Sequence, residues 1–288
     1  MKKTISPFKG ETGEGDGAQG ALALDTITYV NGSYRTGTVR RSLLGRISPA
    51  LRLYSRLVSV VVRGSAKAKR GQYFTADWVA SSLETMRALE EIGCTVEING
   101  VNNFKDLESP CVFIGNHMST LETMVLPCII SQFRDSTFVV KQSLVDYPVF
   151  KHIMRSRDPI TVGRTNPRDD LKAVFEGGEA RLRAGRSIVI FPQTTRTGVF
   201  DPGQFNTIGI KLAKRAGVPV VPVALKTDAW GNGKYLKDYG KVDPSKKVWF
   251  EFGKPMTIAG RGDAEHQQII AFISEKLREW GGEITEKA

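Results

Sequence analysis

The sequence predicts an α/β fold: a twisted, mostly parallel or mixed central sheet flanked by helices, behind an N-terminal basic amphipathic helical segment. Three observations carry this. Short apolar runs rich in β-branched residues recur at 111–114, 138–140, 160–162, 187–191, 218–225 and 247–252. Segments with apolar residues at helical spacing lie between them, at 75–92, 121–130, 169–184, 208–216 and 264–280. Polar motifs then stand directly after several of the apolar runs, where open parallel sheets place their ligands.

Taken in order, residues 1–40 are rich in Gly, Thr and acids, and read as a flexible tail. Within it Thr26-Ile27-Thr28-Tyr29-Val30, ended by Asn31-Gly32, has the pattern of a hairpin arm. Residues 41–74 form the basic segment. Pro49 suits a helix first turn, and Arg52, Arg56, Ser59 and Arg63 follow at steps of four, three and four, on one face. Leu51, Tyr54, Leu57, Val58, Val61 and Val62 cover much of the rest. Two readings are open: a helix lying in a membrane interface, or one packed on its own domain with a solvated arginine edge. The α/β domain then runs from 75 to 288. Gly93, Gly185 and Gly217 stand just past three of its helices. Pro219 and Pro222 argue against a regular central position along the whole length of the strand at 218–225.

The chain of 288 residues carries 41 Lys and Arg against 30 Asp and Glu, a net charge of +11. That balance favours anionic partners, namely an acidic membrane surface, a phosphorylated substrate or nucleic acid. Nucleic acid is set aside, because the basic residues lack interleaved aromatics. Cys94, Cys111 and Cys128 form no disulfide framework or zinc pattern, and the three histidines lie far apart. No metal is expected. No apolar stretch reaches the ~18 residues that span a bilayer, and residues 4–20 lack a signal-peptide core. The expected location is the cytoplasmic face of a membrane, peripheral or monotopic.

The chemistry gathers at Asn116-His117-Met118-Ser119-Thr120-Leu121-Glu122, after the run at 111–114. A histidine at a strand end, with a carboxylate five positions on, can form a general base and the partner that fixes its tautomer. Ser119-x-x-Glu122 is also a capping box, which would leave Glu122 a purely structural task. Pairing requires His117 before the helix and Glu122 inside its first turn. Gly163-Arg164 and Gln193-Thr194-Thr195-Arg196 occupy the same position after other strands. Two arginines beside a base suit an anionic substrate group such as a phosphate, although each alone reads equally as a surface ion pair.

These motifs resemble the glycerolipid acyltransferases typified by lysophosphatidic acid acyltransferase, the PlsC-like family. Asn116-His117 through Glu122 matches its first block, a His-x4-acid motif with Glu for the usual Asp. The run 160–164 matches the second, and Phe191-Pro192-Gln193-Thr194-Thr195-Arg196-Thr197 the third, usually Phe-Pro-Glu-Gly-Thr-Arg-Ser. Ala216-Gly217-Val218-Pro219 with Val221-Pro222-Val223 matches the fourth. The likeness covers about 110–225. It implies acyl transfer from a thioester, acyl-CoA or acyl carrier protein, to a lysophospholipid hydroxyl, with no cofactor. His117 would be the base and Glu122 its orienting acid. Arg164, Arg196, Gln193, Thr194, Thr195, Lys141 and Asn116 would bind substrate. Gln193 in place of the family glutamate, Thr194 in place of a glycine and Gly163 in place of an aspartate put the acceptor in question. A different lipid or aminolipid acceptor is therefore an alternative, as is a non-catalytic lipid-binding relative.

Overall fold

The computed structural model describes residues 25–39, 41–193, 195–234 and 237–285. The first 24 residues of the expected tail lie outside these. Residues 25–39 belong to the domain rather than to a tail: Ile27 is buried, and β1 (Tyr34–Arg35) pairs with the sheet. Asn31 and Gly32 both take positive φ in the tight turn that bridges Val30 to Ser33, as the Asn-Gly signal implies.

Two helices follow, α1 (Leu43–Ile47) and α2 (Pro49–Lys69), then α3 (Thr75–Ile92), ended by Gly93 in the left-handed region. The alternating part contains β2 (Val96–Asn99), β3 (Val112–Gly115), α4 (Leu121–Ile130), β4 (Ser136–Lys141), α5 (Gln142–Asp146), α6 (Phe150–Ser156) and β5 (Ile160–Val162). It continues through α7 (Pro167–Arg183), β6 (Ser187–Ile190), β7 (Val199–Phe200), α8 (Ile208–Ala216), β8 (Val220–Lys226), β9 (Val248–Phe252), α9 (Asp263–Glu279) and β10 (Glu283–Ile284). Among the described residues, eight strands form one mixed sheet in the order β1-β2-β9-β8-β3-β6-β4-β5. From β8 through β5 all neighbours are parallel, whereas β8–β9 and β1–β2 are antiparallel. β7 and β10 pair separately.

Strand periodicity divides the core into two layers. Phe113, Val189, Val221, Val223 and Leu225 face α2, α3 and α4. Val112, Ile114, Ile188, Ile190, Val220 and Ala224 face α7, α8 and α9. Both faces are covered, which is why these strands read as continuous apolar runs rather than as alternation.

Two prolines find unexpected places. β8 is a central strand, but not over the whole expected run, since it begins at Val220. Pro219 precedes it, and Pro222 stands where the β9 ladder ends, its carbonyl accepting from Gly253 N. Its missing N–H therefore interrupts no ladder bond to β3. Pro127 lies inside α4, which continues to Ile130 because Ser82 of α3 repairs it. The Ser82 hydroxyl accepts from Cys128 N at 2.9 Å and donates to Met124 O at 2.7 Å.

Of the two readings, α2 is packed on its own domain, and its partly solvated arginine edge is paired with α3. Arg52 pairs with Glu91 at 2.6 Å, Arg63 with Glu84 at 2.5 Å, and Arg56 lies within 4 Å of both acids. Both acids are on α3, so the arginines lie along the α2–α3 seam, partly exposed to solvent. Apolar residues also face outward: Leu43, Ile47, Leu51, Val58 and Val62 are exposed, Ile47 to 83%.

Phe104, fully buried, meets Phe113, Phe133 and Phe252 and seals the sheet beneath α4. Phe104→Ala is expected to cost about 3–5 kcal/mol through lost burial and the cavity left. The midpoint of urea unfolding, at unchanged slope, measures it.

Candidate active site

The site is built at the C-terminal ends of β3, β6 and β8. Gly115 closes β3, and a Cβ there would come within 2.9 Å of the Val223 carbonyl oxygen. Asn116 follows, and its buried amide imitates a backbone unit. Nδ2 donates to Leu225 O and Oδ1 accepts from Leu225 N, both at 2.8 Å. Asn116 is therefore a brace that fixes the end of β3 to β8 and has no surface to offer a substrate.

This brace aims His117. Its amide donates to Gln193 Oε1 at 2.6 Å, and its carbonyl accepts from Thr197 N at 3.0 Å, so the loop after β6 grips both sides of the residue. The ring stacks on Phe191, centroids 4.4 Å apart and planes 7° from parallel. Nδ1 lies 2.8 Å from Glu122 Oε1, and Nε2 has no partner among the described residues. The side chain is 16% exposed, enough for a substrate to reach one ring edge.

Glu122 is fully buried. Its Oε1 also accepts from Met118 N at 2.7 Å and Ser119 N at 2.9 Å. Its Oε2 accepts from Thr227 Oγ1 at 2.6 Å and lies 3.0 Å from Ser119 Oγ. Burial pushes the Glu122 pKa up, but the bonds from His117, Thr227 and Ser119 outweigh it and hold the carboxyl below its ordinary value. Capping and pairing coexist: Ser119 Oγ accepts from Leu121 N at the start of α4, while Glu122 reaches back to Ser119 N. An ionised Glu122 requires the Nδ1–H tautomer of neutral His117 and leaves the Nε2 lone pair outward. That arrangement can take a proton from a hydroxyl.

Arg196 joins the same wall. Its Nη1 donates to Thr120 Oγ1 and to Asp238 Oδ1, the latter at 2.7 Å, and its side chain is 17% exposed. Thr120 stands three residues after His117, and Thr197, next to Arg196, donates its amide to the His117 carbonyl, so the loop carrying this guanidinium adjoins the base.

An acyltransferase family model matches residues 95–226. The chain is 29% identical over 214 residues to the 1-acyl-sn-glycerol-3-phosphate acyltransferase of Pseudomonas aeruginosa, covering 73% of this chain and 79% of that one. It is 30% identical over 150 residues to a probable 1-acyl-sn-glycerol-3-phosphate acyltransferase of Mycoplasma genitalium, covering 50% of this chain and 55% of that one. In fold it is similar to the crystal structure of the 1-acyl-sn-glycerophosphate acyltransferase PlsC from Thermotoga maritima. The TM-score is 0.62 at 15% identity, over 84% of this chain and 98% of that one. Residues 95–226 thus match an acyltransferase family, and the chain is similar to PlsC-type acyltransferases in sequence and fold.

The other expected substrate contacts divide. Gln193 is buried and its Oε1 is occupied by the His117 amide, so it clamps the backbone of that residue. Thr195 is exposed, and its hydroxyl accepts from Lys237 Nζ at 3.3 Å. Thr194 lies outside the described residues. Lys141 ends β4, two strands from β3, and Arg164 follows β5 at the sheet edge, three strands away. Arg164 has φ 58°, with its amide held by Asp170. Both share the rim of the sheet with His117.

Three contributors escaped the sequence reading. Phe191 reads in the sequence as a strand end and the head of the third block, and its place under the imidazole depends on the β3–β6 register. Thr227 follows the apolar run of β8, and its position after a strand was the available signal. Asp238 lies in the long connection between β8 and β9, where nothing local marks it.

Thr227→Val removes the 2.6 Å bond to Glu122. A cost of about 1.5–3 kcal/mol is expected near neutral pH, as for a hydrogen bond to a charged group. Since Glu122 is held below its ordinary value of 4.5, the stability from its ionised form is present above that pH. It is lost as pH falls through the lowered value. The deficit of the variant should therefore shrink on acidification, measured as unfolding free energy against pH.

Proposed function

We propose that this acyltransferase moves a fatty acyl group from a thioester to the free hydroxyl of a lysophospholipid, with 1-acylglycerol-3-phosphate as the leading acceptor. The observation that carries the reading is the 2.8 Å contact between His117 Nδ1 and the buried Glu122, which leaves Nε2 open, with the loop carrying Arg196 adjoining. The activity named for the Pseudomonas relative supports the acceptor class.

His117 Nε2 takes the acceptor hydroxyl proton as that oxygen attacks the thioester carbonyl carbon. Glu122 stabilises the imidazolium that forms, without taking the proton itself. The tetrahedral intermediate expels the thiolate, which recovers the proton from Nε2, giving the ester and the free thiol of the carrier. Acyl-CoA and acyl carrier protein both fit this chemistry. The thioester is already activated, so the reading calls for no resident cofactor. Arg196 receives the acceptor phosphate.

The exposed apolar stripe of α1 and α2 fits docking on a membrane surface, which is where both the acceptor and product reside. Among the described residues no helix is long and apolar enough to cross a membrane. Leu43, Ile47, Leu51, Val58 and Val62 enter the interface, and the exposed cations Arg46, Lys69 and Arg70 lie beside anionic headgroups.

His117→Ala is expected to lower kcat on the order of 10³-fold, within the range for loss of a general base, while circular dichroism and vesicle binding stay as in the parent. Turnover equal to the parent would return Glu122 to a purely capping role and favour a non-catalytic relative. Replacing Leu51 and Val58 together by Glu should abolish co-flotation with anionic vesicles. Activity on detergent-dispersed acceptor should persist in that variant. Retained flotation would place the membrane contact elsewhere.

A further inference from the structure

The Arg196 guanidinium is engaged along one edge only. Nη1 is held by Thr120 Oγ1 and Asp238 Oδ1, while Nη2 and Nε have no partner among the described residues. Thr120 Oγ1 in turn donates to Asp238 Oδ1 at 2.9 Å, closing a three-membered ring of bonds. Asp238 is itself held from behind. Its carbonyl accepts from Nε1 of the fully buried Trp230 at 3.1 Å. The neighbouring Gly240 carbonyl accepts from Tyr54 Oη of α2 at 2.5 Å, and Tyr239 packs on Tyr54 at 5.3 Å.

We propose that Asp238 is a positioning residue for acceptor recognition. It fixes the Nη1 edge of Arg196 so that the Nε–Nη2 fork faces the acceptor beside His117. This rests on the reading of Arg196 as the receptor of the acceptor phosphate. The physical reason is geometric. A free arginine loses side-chain entropy when it binds an anion, whereas one tethered at Nη1 presents two parallel N–H donors already oriented for a bidentate contact. The tether opposes binding in one respect, since a carboxylate repels a phosphate. Asp238 Oδ1 directs its charge onto Nη1 and Thr120, and this face of the guanidinium separates it from the fork. The second observation is chemical. Among the described residues the acid that meets this arginine is Asp238, which comes from the β8–β9 connection and is fixed there by Trp230.

Steady-state kinetics of the full chain with 1-acylglycerol-3-phosphate, compared with monoacylglycerol as an acceptor lacking the phosphate, tests this. Asp238→Ala is expected to raise KM for the phosphate-bearing acceptor about tenfold, the scale of a hydrogen bond to a charged group, with a smaller change in kcat. KM for monoacylglycerol should move by much less. Asp238→Asn retains an oxygen that accepts from Nη1 and is expected to recover most of the loss. Thr120→Val removes the other tether without touching the connection, and should raise the same KM by a smaller factor. In an Arg196→Ala background, Asp238→Ala should add nothing, because it acts through that arginine. An unchanged or lowered KM for the phosphate acceptor in Asp238→Ala overturns the proposal. Equal losses on both acceptors, or losses additive with Arg196→Ala, overturn it too. An Arg196→Ala variant with the parent's KM would sink the phosphate reading itself, whereas an effect of Arg196→Ala with none from Asp238→Ala removes only the role of Asp238.

Discussion

A buried carboxylate is the constraint around which the rim of this protein is arranged. Taking an ion the size of Glu122 out of water costs several kcal/mol even after relaxation, and that is recovered only with close hydrogen bonds on both oxygens. Here they come from two separate elements. The turn before α4 supplies the Met118 and Ser119 amides, and the end of β8 supplies Thr227. The remaining bond is to His117, which thereby acquires its tautomer. A structural requirement, satisfaction of a buried charge, and a chemical one, an outward lone pair on Nε2, are met by a single set of contacts.

The parallel arrangement of β8, β3 and β6 makes that set possible. All three strands release their chains at the same edge, so residues remote in sequence meet within a few ångströms. Asn116 bonds Leu225 across β3–β8, and Gln193 and Thr197 hold the His117 backbone across β3–β6. Packing density beneath the rim then fixes the heights of the strands. Phe113 on one face and Val112 and Ile114 on the other are all buried, so β3 cannot slide without opening a void.

Electrostatics sort the N-terminal helices. The arginines of α2 meet Glu84 and Glu91 of α3, each pair partly exposed and worth a few tenths of a kcal/mol up to about one. Their larger effect is orientational: with cations on the α3 side, the opposite face of α2 carries Leu51, Val58 and Val62 outward. The same helix touches the β8–β9 connection through Tyr54, so the outward apolar face and the Arg196 brace share one scaffold.

Local pattern was enough to determine the α/β class, the boundaries of α3 and α8 to the residue, and the place of His117 before its helix. Those features follow from apolar periodicity, glycine stops and the capping signature, which act over a few residues. The identity of the His117–Glu122 pair was legible as one of two alternatives, and its first-turn geometry allowed both to hold at once. Tertiary structure decided the rest. The proline-bearing β8 became central because the β9 ladder ends at Pro222, and Pro127 was tolerated because Ser82 comes from another helix. Strand order placed the expected substrate ligands along one rim: Arg196 follows β6, next to β3, while Lys141 and Arg164 lie at the ends of the second and third strands out. Asn116 and Gln193 became braces once their partners across the sheet were in place. Thr227 and Asp238 entered the site from more than a hundred residues along the chain. Sequence position carries no record of such distances, since only the order and register of the strands set them.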